Sequence, residues 1–154
     1  MRNTWWLISI LLFFSCELST EVNETTVIPD RKWEYNNILK FAVNDIDTLA
    51  EYDLYIRIRH DKKYKFSNLF LKIHEQQGQQ KDSSRRIELT LAEKDGRWTG
   101  KNSGDLYMHE YLLKENFRFQ DTTVYYVEVE QNMRENPLPH IADVGIRLVN
   151  KKTK

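Results

Sequence analysis

The chain has 154 residues, with 23 Lys+Arg against 23 Asp+Glu, so its length fits one domain and its zero net charge removes the broad electrostatic case for a nucleic-acid partner. Charged residues at 30% and aromatics at 12% exclude a disordered chain, and 5 Gly with 3 Pro exclude collagen-like or low-complexity repeats. A single Cys excludes an intramolecular disulfide.

The N-terminus reads as an address. Met1-Arg2-Asn3-Thr4 is short and basic, Trp5 to Phe14 is apolar except for Ser9, and Ser15-Cys16 leads into the polar Glu17. That is the layout of a secretory signal, and the apolar run is too short for a transmembrane helix, which needs about 20 residues. Phe13-Phe14-Ser15-Cys16 resembles a bacterial lipobox, with Phe13 where Leu is commoner. Lipidation accounts for a Cys placed between a signal and a polar stretch, where core packing does not. The expected organisation is a signal peptide over residues 1–15, a lipidated N-terminus and flexible tether over 16–31, a β-sandwich domain over 32–150 and a basic tail over 151–154. Removing 15 residues of 154 leaves 139, and losing Arg2 leaves 22 Lys+Arg against 23 Asp+Glu, a net charge of −1.

From Lys32 onward the apolar residues alternate with period two. A short helix is expected around Asn44–Ala50, with Asp45 or Asp47 as its cap. Weaker strands are expected at Ile38–Val43 and Phe117–Phe119. Tyr52, Leu54, Ile56 and Ile58 share one strand face, opposite Asp53, Tyr55, Arg57 and Arg59. Leu69, Leu71 and Ile73 repeat the pattern, as do Ile87, Leu89 and Leu91. So do Tyr125, Val127 and Val129, and then Val144, Ile146 and Leu148. Tyr107–Lys114 is ambiguous between strand and helix. Asp95-Gly96 is a tight-turn pair, and Asn136-Pro137-Leu138-Pro139 interrupts regular structure. Seven or eight short strands, each with one apolar and one largely polar face, predict an all-β chain. The architecture expected is an antiparallel β-sandwich, jelly-roll-like or immunoglobulin-like.

Catalytic patterns are sparse. His60, His74, His109 and His140 have no metal-ligand spacing and read as scattered surface residues. No nucleophile-elbow, phosphate-loop or dinucleotide pattern occurs. Glu128 and Glu130 share a strand face, as a hydrolase carboxylate pair would, but an exposed sheet face accounts for them more simply. Arg57 to Lys65 is the densest basic stretch and could bind an anionic partner or lipid headgroups, but reads more simply as a solvated hairpin tip guarding a sheet edge, with Asp53 and Asp61 diluting its charge.

Five pieces in order then carry a resemblance: Tyr52–Arg59, Tyr64–Leu71 with Ser67-Asn68-Leu69, the Asp95-Gly96-Arg97-Trp98-Thr99-Gly100 run, Met133-Arg134, and Asp143-Val144-Gly145-Ile146-Arg147. With the Cys16 lipobox they resemble the GldH family of gliding-motility lipoproteins from Bacteroidetes, over nearly the whole mature chain. The resemblance implies a lipid-anchored envelope protein, most simply on the outer membrane facing the periplasm, with no enzymatic activity and no cofactor. It would support the machinery that moves surface adhesins and is linked to type IX secretion. Within the matching pieces, Asn68, Trp98, Met133, Arg134, Asp143 and Arg147 are candidate partner-binding residues, because Trp and Arg are over-represented at interfaces. Their plainer roles are structural: Trp98 as a core plug, Asn68 bonding nearby backbone, and Arg134 and Arg147 pairing with Asp143 to brace the Pro loop. A rival reading is a carbohydrate-binding sandwich face using Tyr55, Phe70, Tyr107, Tyr111 and Tyr126, which requires those rings to lie exposed on one face. The partners expected are the membrane, through the lipid, and other envelope proteins of gliding and secretion. No nucleic acid or small-molecule substrate is indicated.

Overall fold

The computed structural model describes residues 22–81 and 84–151. The signal segment, Cys16 and the last three residues of the basic tail lie outside the described residues. Twelve strands are present in that range: β1 (Val22–Val27), β2 (Lys32–Trp33), β3 (Leu39–Val43), β4 (Tyr52–Asp61), β5 (Asn68–Gln77), β6 (Gln80–Lys81), β7 (Arg85–Thr90), β8 (Lys101–Ser103), β9 (Leu106–Phe117), β10 (Tyr125–Gln131), β11 (Leu138–Pro139) and β12 (Ile141–Asn150). They form two antiparallel sheets, one ordered β1-β12-β4-β9-β8 and one in which β3, β10, β5 and β7 are neighbours, with β6 beside the end of β5. β2 and β11 make a small third pair. The expected all-β sandwich is the observed architecture.

The core is built by the alternating positions. Leu54, Ile56, Ile58, Val144, Ile146 and Leu148 from the first sheet meet Phe41, Leu69, Leu71, Ile73, Val127 and Val129 from the second, all buried. Fully burying an aliphatic side chain contributes about 1.5–3 kcal/mol, so this double layer stabilises the fold without any disulfide. Trp33 plugs the layer, with its indole nitrogen donating to the Asn37 carbonyl oxygen at 2.8 Å. A carboxylate ties the sheets at one end: Glu75 of β5, buried, accepts from Tyr125 at 2.7 Å and Arg85 at 3.1 Å and pairs with Lys114 of β9.

Two expectations are corrected and one open reading is resolved. The tether does not run from 16 to 31, because Val22–Val27 is edge strand β1, registered against Asp143–Leu148 of β12. Its sequence lacks a period-two apolar pattern, so the pairing rests on backbone hydrogen bonds offered by the open edge of β12. β-branched Val22, Thr25, Thr26 and Val27 favour the extended backbone. Ile28 then buries completely and donates its amide to Ala142. No helix forms over 44–50: Asp45 takes a left-handed φ of 54°, and Asp47 bonds the Leu49 amide at 2.8 Å within its own turn. A segment that short cannot overcome helix nucleation by itself. Tyr107–Lys114 is strand throughout, within β9. Of the basic tail, Lys151 docks back, its amide on the Glu51 carbonyl and its ammonium 3.3 Å from Asp53.

Gly145 explains why β1 sits so close. A Cβ there would overlap the Glu24 carbonyl oxygen and sit 2.6 Å from Thr25 Oγ1, so only glycine leaves room for the neighbouring strand.

Candidate partner-binding site

The six partner-binding candidates separate into three places. Trp98 is half-buried and belongs to an aromatic cluster at the inner end of the first sheet. It follows the Asp95-Gly96 turn, which closes with the Gly96 amide donating to the Glu93 carbonyl at 2.9 Å, and it meets Ala92 through a β-bridge. Its ring stands edge-on to His60 at 4.4 Å, with Tyr107 at 5.9 Å and Tyr64 at 6.3 Å. The core-plug reading of Trp98 therefore fits better than a free surface anchor.

Below Trp98 lies a feature that sequence reasoning missed. His60 and His109 are buried and face each other, Nε2 to Nε2, at 3.0 Å. His60 Nδ1 lies 2.8 Å from the Asp61 carbonyl oxygen and must donate to it, which leaves its Nε2 as acceptor for His109 Nε2–H. Burial, and then the neighbouring His60, push His109 down to about 4. Burial also lowers His60, against the opposing pull of Asp61. Both imidazoles are thus neutral at pH 7. The signal was present: His60 continues the inward series Tyr52, Leu54, Ile56, Ile58, and His109 stands between the half-buried Tyr107 and Tyr111. Gly100 makes room for the pair, since a Cβ there would lie 2.6 Å from His109 Nε2. The Asp-Gly-Arg-Trp-Thr-Gly run is a clamp on two buried histidines.

Asp143 and Arg147 lie on the outer face of the first sheet, and their partners differ from those expected. Asp143, buried, takes Arg59 Nε on both carboxylate oxygens at 2.8 and 2.9 Å. Arg147 grips Glu110 with two nitrogens, at 2.9 and 2.6 Å, and its guanidinium stands 4.5 Å from the Tyr55 ring centroid. The Arg147 bonds hold Glu110 below the usual carboxylate range, against the opposing effect of its partial burial. Cross-strand neighbours on β4, β9 and β12 win over the Pro loop because the sheet register already brings them face to face.

Asn68, Met133 and Arg134 come together on the second sheet. Asn68 opens β5 and donates its amide to Glu88 of β7 at 2.7 Å, while its carbonyl accepts from Tyr64 at 3.0 Å. Beside it is a groove of about 340 Å³ lined by Phe66, Phe70, Arg86, Asn132, Met133 and Arg134. Met133 packs on the core and places its sulfur 3.2 Å from the Phe70 amide. The Arg86 guanidinium stacks 3.9 Å from the Phe70 ring centroid. Arg134 is exposed, and neither Arg86 nor Arg134 has an ion pair among the described residues. The nearby acids are engaged: Glu88 with Asn68, and Glu135 with Lys65 at 3.7 Å.

The rival arrangements find less support. Glu128 pairs with Lys40 at 3.2 Å and Glu130 with His74 at 2.9 Å, so each carboxylate of the suspected pair has its own cation or imidazole on a sheet face. Of the five aromatics suggested for sugar binding, Phe70, Tyr126 and Tyr55 are each covered by Arg86, Lys40 or Arg147. Tyr107 belongs to the His60 cluster, and Tyr111 donates its hydroxyl to the Thr90 carbonyl. Among the described residues no group of three or more His, Cys, Asp or Glu could hold a metal ion. No helix there is long and apolar enough to cross a membrane.

A family model described as GldH lipoprotein matches residues 20–148. The chain is 32% identical over 150 residues to a protein of Christiangramia forsetii named gliding motility lipoprotein GldH homolog, covering 93% of this chain and 91% of that protein. It is 26% identical over 152 residues to the gliding motility lipoprotein GldH of Flavobacterium johnsoniae, covering 94% of each. No solved structure matches.

Proposed function

The chain belongs to the GldH lipoprotein family, lipid-anchored envelope proteins of gliding motility, and from that premise we propose that it works without catalysis, by binding other envelope proteins of the gliding and type IX secretion machinery. Its anchor is lipid on Cys16, and its place is the outer membrane facing the periplasm. The observation that carries the binding role is the groove on the second sheet: an apolar floor flanked by two guanidiniums that have no carboxylate partner among the described residues. Half-buried apolar surface of this kind beside Arg matches the composition of protein interfaces.

The groove also lies toward the end of the sandwich opposite the one where β1 begins. β1 enters the first sheet where Val22 meets Leu148, the end at which Tyr52 meets Asn150. The groove lies at the other end, beyond Asp61 and its short connection to Asn68, where Gln131 pairs Leu71. The ten residues of β4 separate the two ends by about 33 Å. A membrane-held domain would therefore present this site outward from its anchoring end.

Crosslinking mass spectrometry on intact cells tests the reading. The expected result is crosslinks from this chain to other envelope lipoproteins or secretion components. A protein that crosslinks only to itself, in cells that move their adhesins normally without it, would overturn the proposal.

A further inference from the structure

Resting on the reading that this protein binds envelope partners, we propose that the groove of Phe66, Phe70, Arg86, Met133 and Arg134 takes an extended partner segment in which an apolar side chain stands beside a carboxylate. The floor sets the first requirement. Phe66 and Phe70 are half-buried and Met133 lies across them on the core side, so an apolar side chain entering there removes apolar surface on both partners from water. A thioether beside two rings also adapts to varied shapes.

The rim sets the second requirement. Arg86, Arg134 and Asn132 are the polar residues of the lining, and all three are exposed. Arg86 is held flat by the Phe70 ring, which leaves the edge of its guanidinium, with its N–H donors, for a planar acceptor. A carboxylate matches that fork in a way an ammonium or a neutral sugar hydroxyl does not. Lys72, the cross-strand neighbour of Arg86, has Glu130 opposite it on β10, so the surplus positive charge at the groove comes from Arg86 and Arg134. Glu88, the acid nearest the floor by register, is turned to Asn68. Charge complementarity therefore selects an acidic segment and disfavours a basic one.

The chain's own N-terminus is not that segment in cis. Residues 16–21 hold Glu17, Leu18 and Glu21, the right chemistry, but six residues at full extension span at most about 20 Å. They start at Val22, level with the end of β4 opposite the one from which the chain turns toward β5, so most of a strand's length and the sandwich thickness of about 10 Å both lie between them and the groove.

The test places a photoreactive benzoylphenylalanine at position 132, on the groove rim, in the full-length protein in its own cells. A second chain carries it at Asn23, on the outer face of the other sheet. Mass spectrometry then reads the crosslinked peptide. We expect the position-132 adduct to fall on a segment of another envelope protein with Asp or Glu within two residues of an apolar side chain. We expect Arg86→Glu with Arg134→Glu to reduce its yield by about tenfold or more, and Arg86→Lys with Arg134→Lys to retain part of it. An unchanged thermal midpoint for these surface variants separates lost binding from lost folding. Adducts to lipid, to glycan, to a second copy of this chain or to a segment without acid would each overturn the proposal, as would a yield indifferent to charge reversal. Adducts from Asn23 but none from position 132 would overturn the groove assignment while leaving partner binding intact. Adducts from neither, together with no partner by general crosslinking, would remove both.

Discussion

Burial pushes the proton affinity of His60 and His109 below that of an exposed imidazole. Both imidazoles are buried in an aromatic cage, stacked 5.1 Å apart, with Nε2 atoms in hydrogen-bond contact. His109 is held at about 4, below the ordinary value of 6.5, so the unfolded chain takes up this proton first as pH falls. Stability from this group is therefore fully present above pH 6.5 and is lost as pH drops toward 4. Denaturant unfolding at pH 8 and pH 5 should show a loss of about 2 kcal/mol at the lower pH. A His109→Leu variant should lose clearly less between the same two pH values. Equal losses in both proteins would assign the pH dependence elsewhere. Gly100→Ala pushes a methyl group against the same ring, and overpacking of that kind costs about 1–3 kcal/mol, read as a lowered midpoint at pH 8.

Among the elements, β1 is the one whose attachment depends on single residues of its neighbour. It is held by backbone pairing to β12 and by the space that Gly145 leaves. Gly145→Ala should loosen β1 selectively. Hydrogen exchange would report it as faster exchange over residues 22–27, with β4 and β10 unchanged; uniform acceleration would instead mean global destabilisation. The strand behind is locked differently. Arg59 of β4 satisfies the buried Asp143 of β12 with a two-oxygen contact and raises its own proton affinity in return. Arg59→Met leaves a buried carboxylate without its cation, at a cost of about 3 kcal/mol, whereas Arg57→Met should cost far less. Urea midpoints of the two variants make the comparison.

At the scale of the whole molecule, the two ends of the sandwich differ. One end receives the N-terminus, docks Lys151 on Asp53 and ties the sheets through Glu75 and Lys114. The other carries the histidine cage, the groove, and a clasp in which Asp61 accepts from Arg31 at 2.9 Å and contacts His140 at 3.1 Å. Lipid attachment at Cys16 would hold the first end to the bilayer. Several acyl chains at about 0.8 kcal/mol per buried methylene make that attachment stable. Cys16→Ala should abolish fatty-acid labelling and move the protein to the soluble envelope fraction while leaving its thermal midpoint unchanged. Labelling that persists in the variant would exclude Cys16 as the acceptor.

The alternation of Tyr52 to Ile58, Leu69 to Ile73 and Val144 to Leu148 determined the sandwich together with the near-absence of helical pattern, because a period of two puts every second side chain on one face and, with no amphipathic helix to cover it, a second sheet must. The ordered pieces from Tyr52 to Arg147 likewise determined the family. Three things were decided only by the tertiary structure. β1 has no apolar periodicity, so its place depends on the free edge of β12 and on Gly145. The partners of Asp143 and Arg147 depend on strand register, which brings Arg59 and Glu110 nearer than any residue close in sequence. The groove joins Phe66 and Phe70, Arg86 of the neighbouring strand and Met133-Arg134 across more than sixty residues of chain. Hydrogen bonding between β5 and β7, and the return of the chain after β10, set those side chains against one another. Local patterning carries no information about such contacts.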